Sequence, residues 1–155
     1  MYQLEVKRWL VEHRFTPAAG WSVTVDIDAM ERARGGVHAL DKAARAKVAE
    51  DALRTMGARI GAHATYGRAD IVAEHPIHGL WLVEVEGTSS RQKEQAVYSA
   101  LGQLVLQMQA EAARFMLAVP TDGKWLTQLR KIPPRARKLM RLSCVCVSEH
   151  GVTEA

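Results

Sequence analysis

The chain has 155 residues, 48% of them apolar and 25% charged, the proportions of one ordinary globular domain built around a single core. Its net charge of +4, with an isoelectric point near 9.3, leans mildly toward a polyanionic partner. No apolar run approaches the roughly 20 residues that span a bilayer, and Met1 to Leu10 mixes charges into its apolar residues, so the expectation is a cytoplasmic protein with no membrane partner.

Residues 3–14 read as a short helix with Leu4, Trp9, Leu10 and Val11 as its apolar members, broken by Pro17 to Gly20. Trp21 to Asp28 alternates, with Trp21, Val23, Val25 and Ile27 on one side and Ser22, Thr24, Asp26 and Asp28 on the other. That pattern suits a half-buried strand whose acids face solvent. Gly35-Gly36 marks a turn, and Asp41 can cap a helix through Met56 that Gly57 closes. Its inward stripe is expected to be Ala44, Val48, Ala52, Leu53 and Met56. Extended segments follow at 58–63, 69–74 and 80–86, the last two joined by the turn His75-Pro76-Ile77-His78-Gly79. Ser89 or Ser90 can cap a helix to about Ala113, with a stripe of Val97, Ala100, Leu101, Leu104, Val105 and Met108. A strand over 114–119, a helix from Lys124 to Ile132, a break at Pro133-Pro134, a short helical turn and a strand over 142–147 complete the chain. The order predicts an α/β fold, a mixed central sheet flanked by helices.

Cys144 and Cys146 lie two apart in an apolar strand, which suits buried thiols and does not suit a disulfide between them. No His or Cys set has zinc spacing. From Lys124 to Ser148 there is no acidic residue, while Lys124, Arg130, Lys131, Arg135, Arg137, Lys138 and Arg141 are basic. Such a one-signed stretch serves either phosphate contacts or a solvated helix face.

Chemistry concentrates in the hairpin. Glu84 and Glu86 share one face of Leu80-Trp81-Leu82-Val83-Glu84-Val85-Glu86, and the turn can return Asp70 to the same end. Carboxylates in an apolar strand are costly to desolvate unless a positive charge meets them. Either an oxygen-bound Mg²⁺ or Mn²⁺ or a salt bridge from Arg59, Arg68 or Lys93 can supply that charge.

Gly67-x-x-Asp70-Ile71-Val72, a turn, then Leu82-Val83-Glu84-Val85-Glu86-Gly87 resembles the PD-(D/E)xK nuclease superfamily. Glu50, a few residues before Gly57, resembles the acid that the preceding helix often supplies there. The resemblance covers roughly residues 41–120 and implies a restriction-endonuclease-like α-β-β-β-α-β core within a single domain, 1–155. Residues 1–40 are then an N-terminal helix-strand extension, and 121–155 a basic C-terminal helix and strand. It further implies a divalent-metal-dependent endonuclease acting on nucleic acid, DNA first among the candidates, with homodimerisation common. Asp70, Glu84, Glu86 and Glu50 become metal ligands for Mg²⁺ or Mn²⁺, and Lys93 a replacement for the family's lysine, whose place Glu86 takes. Arg68, Gln92, Gln95, Lys124, Arg130, Lys131 and Arg135 are the expected nucleic-acid contacts. A catalytically degenerate nuclease fold that binds nucleic acid or a protein partner is the alternative.

Overall fold

Alternation along the central strands gives one sheet two apolar faces, and helices cover both. The structure, a computed structural model, describes residues 1–67, 69–88, 92–109 and 111–155. In chain order the elements are α1 (Gln3–Arg14), β1 (Ser22–Val25), α2 (Lys42–Thr55), β2 (Arg59–Ile60), β3 (Ile71–His75), β4 (Gly79–Val85) and α3 (Lys93–Leu106). They continue as β5 (Arg114–Pro120), α4 (Gly123–Arg130), α5 (Pro134–Leu139), β6 (Leu142–Ser148) and β7 (Gly151–Glu154). The sheet runs β2-β1-β3-β4-β5-β6-β7. The β1/β3, β3/β4 and β6/β7 pairs are antiparallel; β1/β2, β4/β5 and β5/β6 are parallel. The fold is thus α/β around a mixed sheet.

Val83, Val85, Met116, Ala118, Val145 and Val147 point to the face covered by α1 and α2, where Leu4, Leu10, Val11 and Leu53 meet them. Leu82, Phe115, Leu117, Val119 and both cysteines point to the other face, against Val97, Ala100 and Leu104 of α3 and Trp125 and Leu129 of α4. Each fully buried Leu or Val contributes about 1.5–3 kcal/mol. Cys144 and Cys146 are free and buried, and burial pushes the Cys144 thiol up to about 11.

Several sequence expectations need correction. The 21–28 strand is only Ser22–Val25, and it lies inside the sheet between β2 and β3. Thr24 and Val25 are therefore paired on both sides, and Thr24 is buried while Ser22 is exposed. The segment at 58–63 shrinks to two residues that pair in parallel with β1. Helix α2 buries Lys42, Ala46, Ala49 and Leu53, leaving Val48 65% exposed and Ala44 exposed. Alanine on several faces of that helix blurs the stripe, so the flanking elements decide which face turns in. Helix α3 begins at Lys93 with Gln92 at its N-cap and ends at Leu106. Ser89 and Ser90, the expected caps, lie outside the described residues. Of its expected stripe, Val97, Ala100 and Leu104 are buried, Leu101 and Met108 half-buried, and Val105 is 55% exposed. Strand β7 was not anticipated. It hairpins back on β6 with Ser148 opposite Gly151.

Candidate active site

Asp70 stands one residue before β3, and Ile71 pairs with Val83, so Asp70 meets β4 beside Glu84. The strand pairing extends to it on the other side, where the Asp26 amide donates to the Asp70 carbonyl at 2.9 Å. Asp70 Oδ2 in turn accepts from the Val85 amide at 2.8 Å. The Asp70 carboxylate is thus fixed by the backbone of the strand that bears Glu84.

Glu84 is only 3% exposed. Burial, then the neighbouring Asp70, pushes its carboxyl well above the usual carboxylate range. Gln107, at the C-terminal end of α3, donates from Nε2 to Glu84 Oε1 at 2.6 Å. Among the described residues, the buried Gln107 Oε1 has no hydrogen-bond partner.

The cation at this site comes from an unexpected place. Lys7 of α1 is fully buried, with Nζ 2.7 Å from Asp70 Oδ1 and 2.7 Å from Glu31 Oε1. It also donates to the Asp26 carbonyl at 2.6 Å. Burial alone would discharge the amine, but Asp70 and Glu31 outweigh it and leave its pKa above the usual lysine value. Burial raises the Glu31 pKa, and Lys7 opposes that rise. Glu31 is anchored locally: its amide donates to Asp28 Oδ1 at 2.7 Å, and its carboxylate accepts from the Asp28 amide at 3.0 Å. Gln3, one turn before Lys7, reaches both Asp70 oxygens at 3.4 Å.

The structure therefore joins Asp70 and Glu84 and adds Lys7, Glu31, Gln3 and Gln107, none of which was expected. A signal for Lys7 exists, because it falls three after Leu4 and four before Val11, on the inward face of its helix. The position of Gln107 has no counterpart in local pattern. Glu86 directly follows β4 and is half-buried, its amide donating to the Ala118 carbonyl at 3.0 Å.

Glu50 is engaged elsewhere. Arg32 reaches it at 2.8 and 3.1 Å and Arg54 at 2.8 Å, and the Arg32 hydrogen bond above all lowers its carboxyl to about 2. The expected salt-bridge partners of the acids are elsewhere too: Arg59 donates to Ser22 Oγ, and the Lys93 ammonium lies 5.1 Å from the Trp125 ring. Arg68 lies outside the described residues. Gln92, Lys93, Gln95 and Lys124 do come together, lining a cleft of about 500 Å³ between the starts of α3 and α4. Lys131 pairs with Glu94 at 3.2 Å, while Arg130 and Arg135 are exposed on α4 and α5.

Asp70 and Glu84 offer only oxygen donors, which fits Mg²⁺ or Mn²⁺ better than zinc. Among the described residues, no three His, Cys, Asp or Glu side chains group as an ion-holding set. Among them, too, no helix is long and apolar enough to cross a membrane. Comparison with protein-family models, curated proteins and solved structures yields no match.

Proposed function

We propose that this protein is a divalent-metal-dependent nuclease with a restriction-endonuclease-like core, hydrolysing phosphodiester bonds in nucleic acid, DNA first among its candidates. The observation that carries this reading is the buried Glu84 beside half-buried Asp70 and the ammonium of Lys7. Two carboxyl groups placed together under apolar cover repel and lose hydration, an arrangement that structure alone does not favour. A buried acid pushed up as Glu84 is marks a candidate functional site.

Asp70 and Glu84 would hold the ion, with Gln107 orienting Glu84 by its hydrogen bond to Oε1. Mg²⁺ or Mn²⁺, when bound, supplies Lewis-acid polarisation of the phosphodiester and a lowered pKa for water. Lys7 orients Asp70 and offers positive charge near the phosphorane-like charge that develops on phosphate oxygens. This is the contribution expected above of Lys93. Glu86, directly after β4, is the candidate base for water. Gln92, Gln95 and Lys124 line a cleft suited to a phosphate backbone.

One observation favours a second reading. Lys7 already compensates Asp70, so a nuclease-fold protein that binds nucleic acid or a protein partner without cleaving would need no ion. Plasmid nicking in Mg²⁺ and in Mn²⁺ separates the two. Glu84→Gln is expected to abolish divalent-dependent nicking with an unchanged circular dichroism spectrum. Equal nicking by the variant would remove the nuclease reading.

A further inference from the structure

A second cleft, of about 660 Å³, opens at the N-terminal ends of β5 and β6, the opposite end of β4 from Glu84 and Val85. Trp81, Ala112, Arg114, Arg137, Lys138, Arg141, Leu142 and Ser143 line it. Four of these residues are cationic and none is acidic. Phe115 pairs with Leu142, and the Phe115 amide donates to the carbonyl of Arg141, the residue just before β6, so Arg114 and Arg141 flank the start of that pairing. Both arginines line the cleft, so an anion there would meet positive charge from either side of the pairing. Trp81 pairs with Arg114 in turn, and the Arg114 guanidinium lies 5.6 Å from the Trp81 ring.

The four cations are not equivalent. Arg137 spends its guanidinium on the carbonyls of Leu129, Ile132 and Ala155 and is a structural part of the C-terminal region. Arg141 uses one nitrogen on the Glu111 carbonyl. Its backbone is left-handed, with φ of 50°, a conformation that glycine or asparagine adopts at lower cost. A strained arginine beside a second arginine points to use of the side chain, since the local fold would be better served by glycine.

We propose that Arg114, Lys138 and Arg141 form a second nucleic-acid contact that holds a phosphodiester backbone. These cations come from three places: the start of β5, the residue before β6 and the end of α5. A linear polyanion can span such a row. Contacts of this type position a strand without reading its sequence. The contact is independent of whether the carboxylate pair cleaves.

The test is fluorescence anisotropy of the full chain with labelled duplex DNA and its separated strand, in EDTA, across a salt series. Arg114→Gln/Lys138→Gln is expected to weaken binding by roughly tenfold or more at low salt and to flatten the logarithmic salt slope by about 1.4 on the single strand and 1.8 on the duplex. Arg141→Gly is expected to weaken binding while its melting temperature holds or rises, which a structural role would not produce. Unchanged affinity and slope in the double variant would overturn the proposal, whatever Arg141→Gly does. Displacement of the DNA by polyglutamate or inorganic phosphate at equal charge concentration would overturn it too. Because EDTA removes divalent ions, neither result bears on cleavage at Glu84.

Discussion

Lys7 sets the energetics of the candidate site. Its ammonium is out of water yet has an anion on two sides and a carbonyl on a third. Removing one member of such a buried set leaves the others uncompensated, which costs about 3–5 kcal/mol. Lys7→Met is expected to lose that much in urea denaturation. Lys7→Met/Glu31→Gln is expected to recover part of it, because one orphaned acid is then neutral. A single-variant loss below 1 kcal/mol would mean that the pair is solvated in practice.

At the scale of elements, the approach of β4 to α1 is unusually close. A Cβ on Gly87 would sit 2.8 Å from Gln3 Cα and 2.9 Å from the Tyr2 carbonyl carbon, nearer than real Cβ contacts. Thr88 clamps the same spot, donating from both its amide and its hydroxyl to the Met1 carbonyl. Gly87→Ala is expected to push the start of α1 away, costing about 1–3 kcal/mol as overpacking does. Hydrogen exchange should then quicken over residues 3–14 while β5 and β6 stay protected; uniform protection would refute the close packing. This glycine was visible in the sequence as the end of the hairpin motif, but not as a seat for a helix that precedes it by eighty residues. Hairpin partners β3 and β4 were legible because alternation and a turn are local. The α2 stripe was not, since its alanines fit either face and only α1 and the sheet choose between them.

For the whole molecule, the acids act in opposite directions with pH. Glu84 is held protonated in the fold and titrates in the unfolded chain near 4.5. Its folded pKa is raised, so its stabilising contribution is full below that range and is lost as pH rises toward the folded value. Glu50 is lowered to about 2, so its contribution is present above about 4.5 and is lost as pH falls toward 2. Urea midpoints across pH are therefore expected to peak in mild acid and decline toward alkaline pH. Glu84→Gln should flatten the alkaline limb and stand above the wild type at pH 8. A midpoint that climbs with pH through this range would show that Glu84 is not buried as a neutral acid. The basic run of 124–148 illustrates how much the three-dimensional arrangement adds. One uninterrupted stretch of positive charge in the sequence becomes a structural arginine, an ion pair with Glu94, and cations divided between two clefts.

The carboxylate site draws Lys7, Glu31 and Asp70 from before the β3–β4 turn, and Glu84 and Gln107 from after it. Pro76, Ile77 and His78 in that turn are exposed. A chain cut there would yield two halves, each with an incomplete set of chemical groups. Only their reassembly across the β3–β4 ladder would restore the set, so a split version is expected to read out fragment association by regaining whatever the intact site does. Recovery of that activity by either half alone would contradict the geometry.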